Sequence, residues 1–197
     1  MAGVIVRLGL ALVVASAIWL ALSATIVLWP AATLGLVIVT ATLAHSELPS
    51  PREVLRVTRR HLVAAYIWGV VNGAIFGLVI ALNRYEPLAE RVPSGVKTLL
   101  QAAAIVWLVL QLYALPLLLV QRDGRMLSAW RSAVLMALAA PLFTALVGLL
   151  VALITGATRT WPLPMALLAP GALAMLGSVI VKTRLAAYGY SGDPPAA

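Results

Sequence analysis

Residues 8–44 read LGLALVVASAIWLALSATIVLWPAATLGLVIVTATLA and contain no Asp, Glu, Lys, Arg or His. A helix needs about 20 predominantly apolar residues to cross the hydrocarbon core of a bilayer. Four further stretches, Leu62 to Asn83, Thr98 to Gln121, Ser132 to Thr158 and Thr160 to Val181, are equally free of Asp, Glu, Lys, Arg and His and long enough. The pattern predicts an all-α, polytopic transmembrane helical bundle. One continuous helix from Leu8 to His45 would be roughly 57 Å long against ~30 Å of hydrocarbon, so the chain must turn inside this segment. Trp29-Pro30 is the expected place, because proline donates no helical hydrogen bond and suits the first position of a new helix. This gives a tight hairpin, helix 1 over about 8–29 and helix 2 over about 31–45, the second short enough to be re-entrant. With spans near 62–83, 98–120, 132–155 and 164–182, the expectation is six crossings, or five if 8–45 crosses once.

The distribution of charge orients the bundle. With six crossings, Arg7, Arg52, Arg56, Arg59, Arg60, Arg122, Arg125, Arg131, Lys182 and Arg184 share the side of the N-terminus, against Arg84, Arg91, Lys97 and Arg159 opposite. Lys and Arg accumulate in cytoplasmic loops, so both termini are expected in the cytoplasm of a bacterial inner-membrane protein. The 197-residue chain is 63% hydrophobic and 10% charged, which leaves no material for a separate soluble domain. A single membrane domain over 1–190 and a Gly- and Pro-containing tail over 191–197 follow. Arg7 and the small residues Ala15, Ala17, Ser23 and Ala24 imitate a signal peptide, but the apolar run is far too long for one, so retention is expected. The net charge of +8 belongs to the ends of apolar spans, with no basic, aromatic-interleaved domain to hold nucleic acid. With no cysteine there are no disulfides or thiolate metal sites.

Ser50-Pro51-Arg52-Glu53 has the form of a capping box and predicts a helix over 51–61. The expectation places Arg52, Arg56, Arg59 and Arg60 on one face and Val54, Leu55, Thr58 and Leu62 on the other. Such a helix lies along the cytoplasmic membrane surface, where each basic residue contributes ~1 kcal/mol with anionic lipid. With Arg122, Arg125 and Arg131 in the other basic loop, it forms the candidate surface for lipid or a partner.

Gly69, Gly73 and Gly77, four apart, make a small-residue stripe of the glycine-zipper kind, for close packing within the bundle or in a homo-oligomer. Asn72 beside it is expected to find an interhelical partner such as a hydroxyl. Pro116, Pro141 and Pro170, like Pro30, are hinge or kink positions. Gln101, Gln111 and Tyr113 are the polar residues able to face a cavity between kinked helices. Trp29, Trp130 and Trp161 fall near span ends, where indoles favour the headgroup layer.

Ion-coupled carriers usually place ionisable groups within the bilayer, and the five runs have none. His45 and His61, near Glu47 and Glu53, are expected as solvated interfacial residues rather than a metal or acid–base site. No nucleophile motif, phosphate loop or zinc signature is present, so neither an enzyme nor a bound cofactor is expected. Leu55xxxArg59 and Leu127xxxArg131 each lead a basic turn into an apolar span, a faint internal echo.

Trp19, the Trp29-Pro30-Ala31-Ala32-Thr33-Leu34-Gly35 turn, the basic helix before the third span, Tyr113xxPro116, and Ala140-Pro141-Leu142 after a basic loop resemble the YesL-like family of small bacterial membrane proteins. The likeness covers roughly residues 10–155, and the P-x-x-T-x-G turn is its most specific part. Members often carry Asn three residues before the helix 1 tryptophan, where this chain has Ser16, and its spans are richer in Ala and poorer in Phe. The resemblance implies an accessory or regulatory role beside a carbohydrate ABC uptake system, with its permease subunits as partners. It brings no catalytic residues. The alternative is a small-solute permease or a substrate-capture subunit, a class that also uses about six helices.

Overall fold

In a computed structural model of the chain, the described residues are 2–44, 47–85, 92–121, 123–160 and 162–187. Among them the regular elements are all helical: α1 Ala2–Ser23, α2 Trp29–Leu43, α3 Pro51–Arg60, α4 Leu62–Arg84, α5 Ser94–Val120, α6 Met126–Ala139, α7 Pro141–Thr160 and α8 Pro162–Ala187. Three stretches are long and apolar enough to cross a membrane: Leu62–Leu82, Ser94–Val120 and Leu168–Ala187. A fourth is gained if α6 and the first part of α7, bent by 107° against each other, count as one span.

α1 and α2 form the expected hairpin, but the chain turns over residues 24–28, before Trp29 and Pro30. Pro30 sits in the first turn of α2, where its missing N–H would have had no helical acceptor. The turn bonds to itself: Ala24 N–H donates to Leu20 C=O (3.1 Å), Thr25 N–H to Leu22 C=O (3.2 Å), and Trp29 N–H to Thr25 C=O (3.3 Å). Thr25 Oγ1 also donates to Leu22 C=O (2.7 Å). Its tip lies beside the first turns of α4, with the Tyr66 hydroxyl donating to Val27 C=O (2.9 Å). A Cβ on Gly69 would collide with the Pro30 ring. Beyond Gly69, α4 continues to Arg84, about 22 Å further at ~1.5 Å per residue, so the hairpin stops well short of the far end of α4.

α5 is the central strut, packed on α2, α4, α6, α7 and α8. It runs unbroken through Pro116, which deprives the Leu112 carbonyl of its helical donor. Gly177 of α8 sits against that carbonyl, and a Cβ there would collide with it. Gly171, six residues earlier, faces the Ser16 and Leu12 side chains of α1, with which a Cβ would likewise collide. These two glycines, with Gly69, are the described glycines at which an added Cβ would collide with a neighbouring element.

The span expected over 132–155 is not one helix. α6 ends at Ala139, Ala140 is non-helical (φ −149°, ψ 74°), and Pro141 opens α7. Pro141 cannot donate to Ala137 C=O, and the Thr144 hydroxyl takes over both Ala137 C=O and Ala140 C=O (each 3.1 Å). Thr144 has only one hydroxyl hydrogen, so Tyr113 O–H, 3.3 Å away, is the donor in their contact. The bend is thereby stabilised from α5.

α3 forms over the expected residues, yet the Ser50 side chain makes no cap bond. Pro51 at the first helical position removes one orphan donor and fixes φ, so the helix starts without the hydroxyl. Its inward face is Val54, Val57 and Thr58, packed on α2 around Gly35. Leu55 is 53% exposed, a correction that helical spacing explains: 52, 55, 56 and 59 fall on one stripe, so Leu55 lies among the arginines. The 191–197 tail lies outside the described residues.

Candidate functional site

Two regions concentrate polar groups, one inside the bundle and one at its end. The interior region is built on Gln111 of α5, Asn72 of α4 and five tryptophans. Gln111 Oε1 accepts from Trp68 Nε1 (2.8 Å) and Trp130 Nε1 (3.2 Å), with Asn72 Nδ2 at 3.5 Å. Asn72 Nδ2 donates to Trp68 C=O (2.8 Å), and Trp107 Nε1 donates to Asn72 Oδ1 (3.1 Å). Trp107 and Trp130 pack at 5.6 Å between ring centroids, Trp29 and Trp68 at 5.2 Å, both tilted as aromatic pairs prefer. An indole N–H can only donate, so two of them on one oxygen fix which end of the Gln111 amide is which.

Beside this cluster is a cavity of about 310 Å³. Its wall includes Trp19, Trp29, Thr33, Trp68, Asn72 and Gln111 and is completed by apolar side chains of α2, α4, α5 and α8; none of the lining residues is ionisable. Trp19 Nε1 donates to Thr33 Oγ1 (3.0 Å), whose own hydrogen goes to Trp29 C=O (2.9 Å). A larger hollow of about 450 Å³ runs along Leu62, Val63, Tyr66, Ile67, Val70 and Val71. All six belong to α4 alone, so it is an outer groove rather than an enclosed site.

The sequence-based candidates divide accordingly. Gln111 lines the cavity, and so do Pro116 and Pro170. Tyr113 is buried but faces Thr144, and Gln101 is exposed near the far end of α5, so neither reaches the cavity. Gln111 and Tyr113 are two residues apart, about 200° around a helix, and one cavity cannot hold both. Asn72 has the expected interhelical partner, but it is an indole rather than a hydroxyl. Within the glycine stripe only Gly69 makes a close approach; Cβ atoms on Gly73 and Gly77 would meet no described atom within 4 Å. Trp29 and Trp130 join the interior cluster, Trp29 against the Trp68 ring and Trp130 through its hydrogen bond to Gln111. Trp161 lies outside the described residues.

The second region is the basic end. Lys182 Nζ donates to Ala44 C=O (3.2 Å), bringing the C-terminal ends of α2 and α8 together. Gly124 (φ 58°) lies over His61. Arg52, Arg56, Arg59, Arg60, Arg125 and Arg131 are all exposed here, and Arg122 lies outside the described residues. His61 is buried rather than solvated, and desolvation, with Arg60 next to it, holds its pKa below the ordinary histidine value. The Asp123 carboxylate accepts from Ser128 Oγ (2.5 Å) and from Arg125 N–H (3.3 Å), and the Ser128 bond is the main reason its pKa is lowered. No group of three or more His, Cys, Asp or Glu able to hold a metal occurs among the described residues, and His45 lies outside them.

Fold and site together define an all-helical bundle with three to four helices long and apolar enough to cross a membrane, a basic end, and an uncharged, tryptophan-walled cavity. No protein-family model, no curated protein and no solved structure matches the chain.

Proposed function

We propose that the chain is an inner-membrane accessory protein of a carbohydrate ABC uptake system, with both termini cytoplasmic, engaging the transporter's permease subunits through its basic end. The observation that carries this reading is the set of six outward-facing arginines, Arg52, Arg56, Arg59, Arg60, Arg125 and Arg131, gathered at one end by the packing of α3 on α2 and of Gly124 on His61. Cytoplasmic loops collect such residues. Exposed guanidinium groups also form forked hydrogen bonds with carboxylates of a partner or phosphates of lipid. The sugar-uptake part of the reading rests on the resemblance to the YesL-like family.

The topology that fits best has four spans, α4, α5, the bent α6–α7 pair and α8, with α1–α2 as a re-entrant hairpin entering from the cytoplasmic side. α2 has 15 residues, about 22 Å of helix against ~30 Å of hydrocarbon. Its tip is apolar and largely self-bonded, as irregular backbone within a bilayer must be. Apart from the hairpin tip, this arrangement leaves every loop on the side that six crossings would give it.

The test is recovery of transporter subunits with the tagged protein in mild detergent. Capture of a permease subunit, lost in the R56E/R59E/R60E variant together with sugar uptake, is the expected result. Failure to recover any transporter component, with uptake unaltered by the triple variant, overturns the proposal.

A further inference from the structure

α6 turns two different faces to its surroundings. Met126, Ala129, Ala133 and Met136 are buried in the core, and Trp130 reaches Gln111 from the same side. The outward face is Leu127 (77% exposed), Arg131, Val134, Leu135 and Leu138 (71% exposed). α3 is the reverse, with Arg52, Arg56 and Arg59 outward around the single Leu55. Four aliphatic side chains beside one another on an exposed helix mark a contact surface, and here the surface begins next to a cationic turn.

α6 runs across the bundle rather than along it. Thr144 of α7 lies beside Tyr113 (3.3 Å), and Gly148, four residues on, lies beside Val109, four residues back, so α7 is antiparallel to α5. α6 is turned by 107° from α7 and is therefore nearly crosswise to both. α7 alone has 20 residues, about 30 Å of helix, and needs no length from α6 to cross a bilayer core. Cations stand at both ends of α6, which is 14 residues or about 21 Å long. Arg125 precedes its first turn, and just past the bend the Arg184 guanidinium sits 4.5 Å from the centre of the Phe143 ring.

We infer that α6 is an interfacial helix seated in the cytoplasmic leaflet, with its leucines among the first acyl carbons and Arg131 on the phosphate of an anionic phospholipid. A helix in this layer buries its apolar face about 5–10 Å into the boundary between headgroups and acyl chains. Charge selects the lipid class. Arg125, Arg131 and Arg184 lie on or beside α6, no Asp or Glu occurs between Asp123 and Asp193, and the Asp123 carboxylate is engaged by Ser128 and the Arg125 N–H. Guanidinium forks match phosphate oxygens. A second copy of the chain would set Arg131 against an equally cationic end, so it does not fit this face. The inference rests on the membrane topology proposed above, with α7 making the crossing of the α6–α7 pair, and not on docking to a permease.

The chain has no cysteine, so single nitroxide labels can be placed at Leu127→Cys, Leu138→Cys and, in the middle of α5, Ile105→Cys. The full-length protein is reconstituted in nanodiscs of phosphatidylcholine and phosphatidylglycerol in equal parts, and depth is read from the access of oxygen and of a nickel chelate to each label. The labels at 127 and 138 should lie at one shallow depth, within about 5 Å of each other, and the label at 105 near the centre. A helix along the membrane normal would separate the first two by about 16 Å, and that result, or both labels in water, overturns the interfacial placement. A label at 105 in water overturns the topology itself. Native mass spectrometry of the protein released from the same discs reads the lipid class. Phosphatidylglycerol should be retained in preference to phosphatidylcholine, and Arg131→Glu should reduce that preference about fivefold. Equal retention of the two lipids, or a preference that Arg131→Glu leaves unchanged, overturns the anionic phospholipid.

Discussion

The two halves of α4 carry the same kind of sequence and have opposite surroundings. In the half next to α3, Trp68, Gly69 and Asn72 meet Gln111, Pro30 and Trp107 within little more than one turn. In the other half, Gly73 and Gly77 continue the four-residue spacing past the end of α2 and face open space. A small-residue stripe states only where a helix can be approached. The length of the neighbouring helix decides how much of the stripe is used, and α2 is one hairpin arm of 15 residues.

The sharpest break between the halves comes from removing the hub of the packed one. Gln111→Leu leaves the Trp68 and Trp130 indole N–H groups without their acceptor in an apolar interior. Hydrogen bonds between membrane helices average about 0.6 kcal/mol and reach about 1.7, so losing two should destabilise the fold by roughly 1–3 kcal/mol. Unfolding measured in mild detergent by tryptophan emission reads this directly. A variant as stable as the parent would mean that the indoles find other acceptors and the cluster is not a unit.

Gly69→Ala and Gly177→Ala come next, at about 1–3 kcal/mol each, the usual range for overpacking. The Gly69 Cβ meets the Pro30 ring, which can shift with the hairpin, whereas the Gly177 Cβ meets the Leu112 carbonyl, which is backbone. Gly177 should therefore be the more sensitive of the two. Equal tolerance of alanine at both, measured by the same unfolding assay, would remove the close approach of α5 and α8.

Much of this was legible in advance and some was not, for identifiable reasons. Runs without charge give apolar helices and Pro51 starts the basic helix expected over 51–61, so the all-helical fold and an interhelical role for Asn72 could be read directly, whereas the single span expected over 132–155 is divided at Ala140. The prolines marked real events: Pro141 opens α7 after the 107° bend, and Pro30 opens α2. Which face of each helix turns inward was not legible, because α1, α2 and α8 are apolar all round and carry no stripe to orient them. For the same reason nothing in the sequence marks Gly171 and Gly177 as close approaches, whereas the regular stripe of α4 does mark Gly69. Trp29 and Trp130 join the cluster although each lies near a span end in sequence, because position along the chain does not say which side chains a neighbouring helix brings close.

The hairpin tip supplies a topological test of the comparison. The chain has no native cysteine, so a single Ile26→Cys gives one thiol at the tip. Labelling of intact cells and inverted vesicles with a membrane-impermeant maleimide should fail from both sides if the tip lies within the bilayer. Labelling from the periplasm would restore the six-crossing arrangement.

A smaller effect is expected from pH at the basic end. His61 has a folded-state pKa below its unfolded value of about 6.5, through desolvation first and Arg60 second. The unfolded chain thus binds the proton more readily. Stability from this residue is fully present above the unfolded pKa and is lost as pH falls towards and through the folded pKa. Unfolding midpoints from pH 8 down to pH 5 should decline in the parent and decline less in His61→Gln, which cannot charge. Parallel declines would assign the pH dependence to other groups.

The smallest expected effect is at Gly73 and Gly77, and it has the opposite sign from that at Gly69. With no described atom within 4 Å of either Cβ position, alanine introduces no collision, and it lowers the conformational entropy that glycine loses in a helix. Gly73→Ala and Gly77→Ala should therefore be neutral or more stable by up to about 0.5–1 kcal/mol. Leucine at the same positions should be tolerated as well, because the surroundings are open. The alternative use of this free half is contact with a second copy, since small-xxx-small faces bring helices of separate chains together. Sedimentation in detergent separates the cases. A protein that stays monomeric, with Gly73→Leu as stable as the parent, leaves the outer half of α4 to lipid. A dimer that Gly73→Leu dissociates would make the stripe a seam between protomers, with Gly69 alone serving the fold.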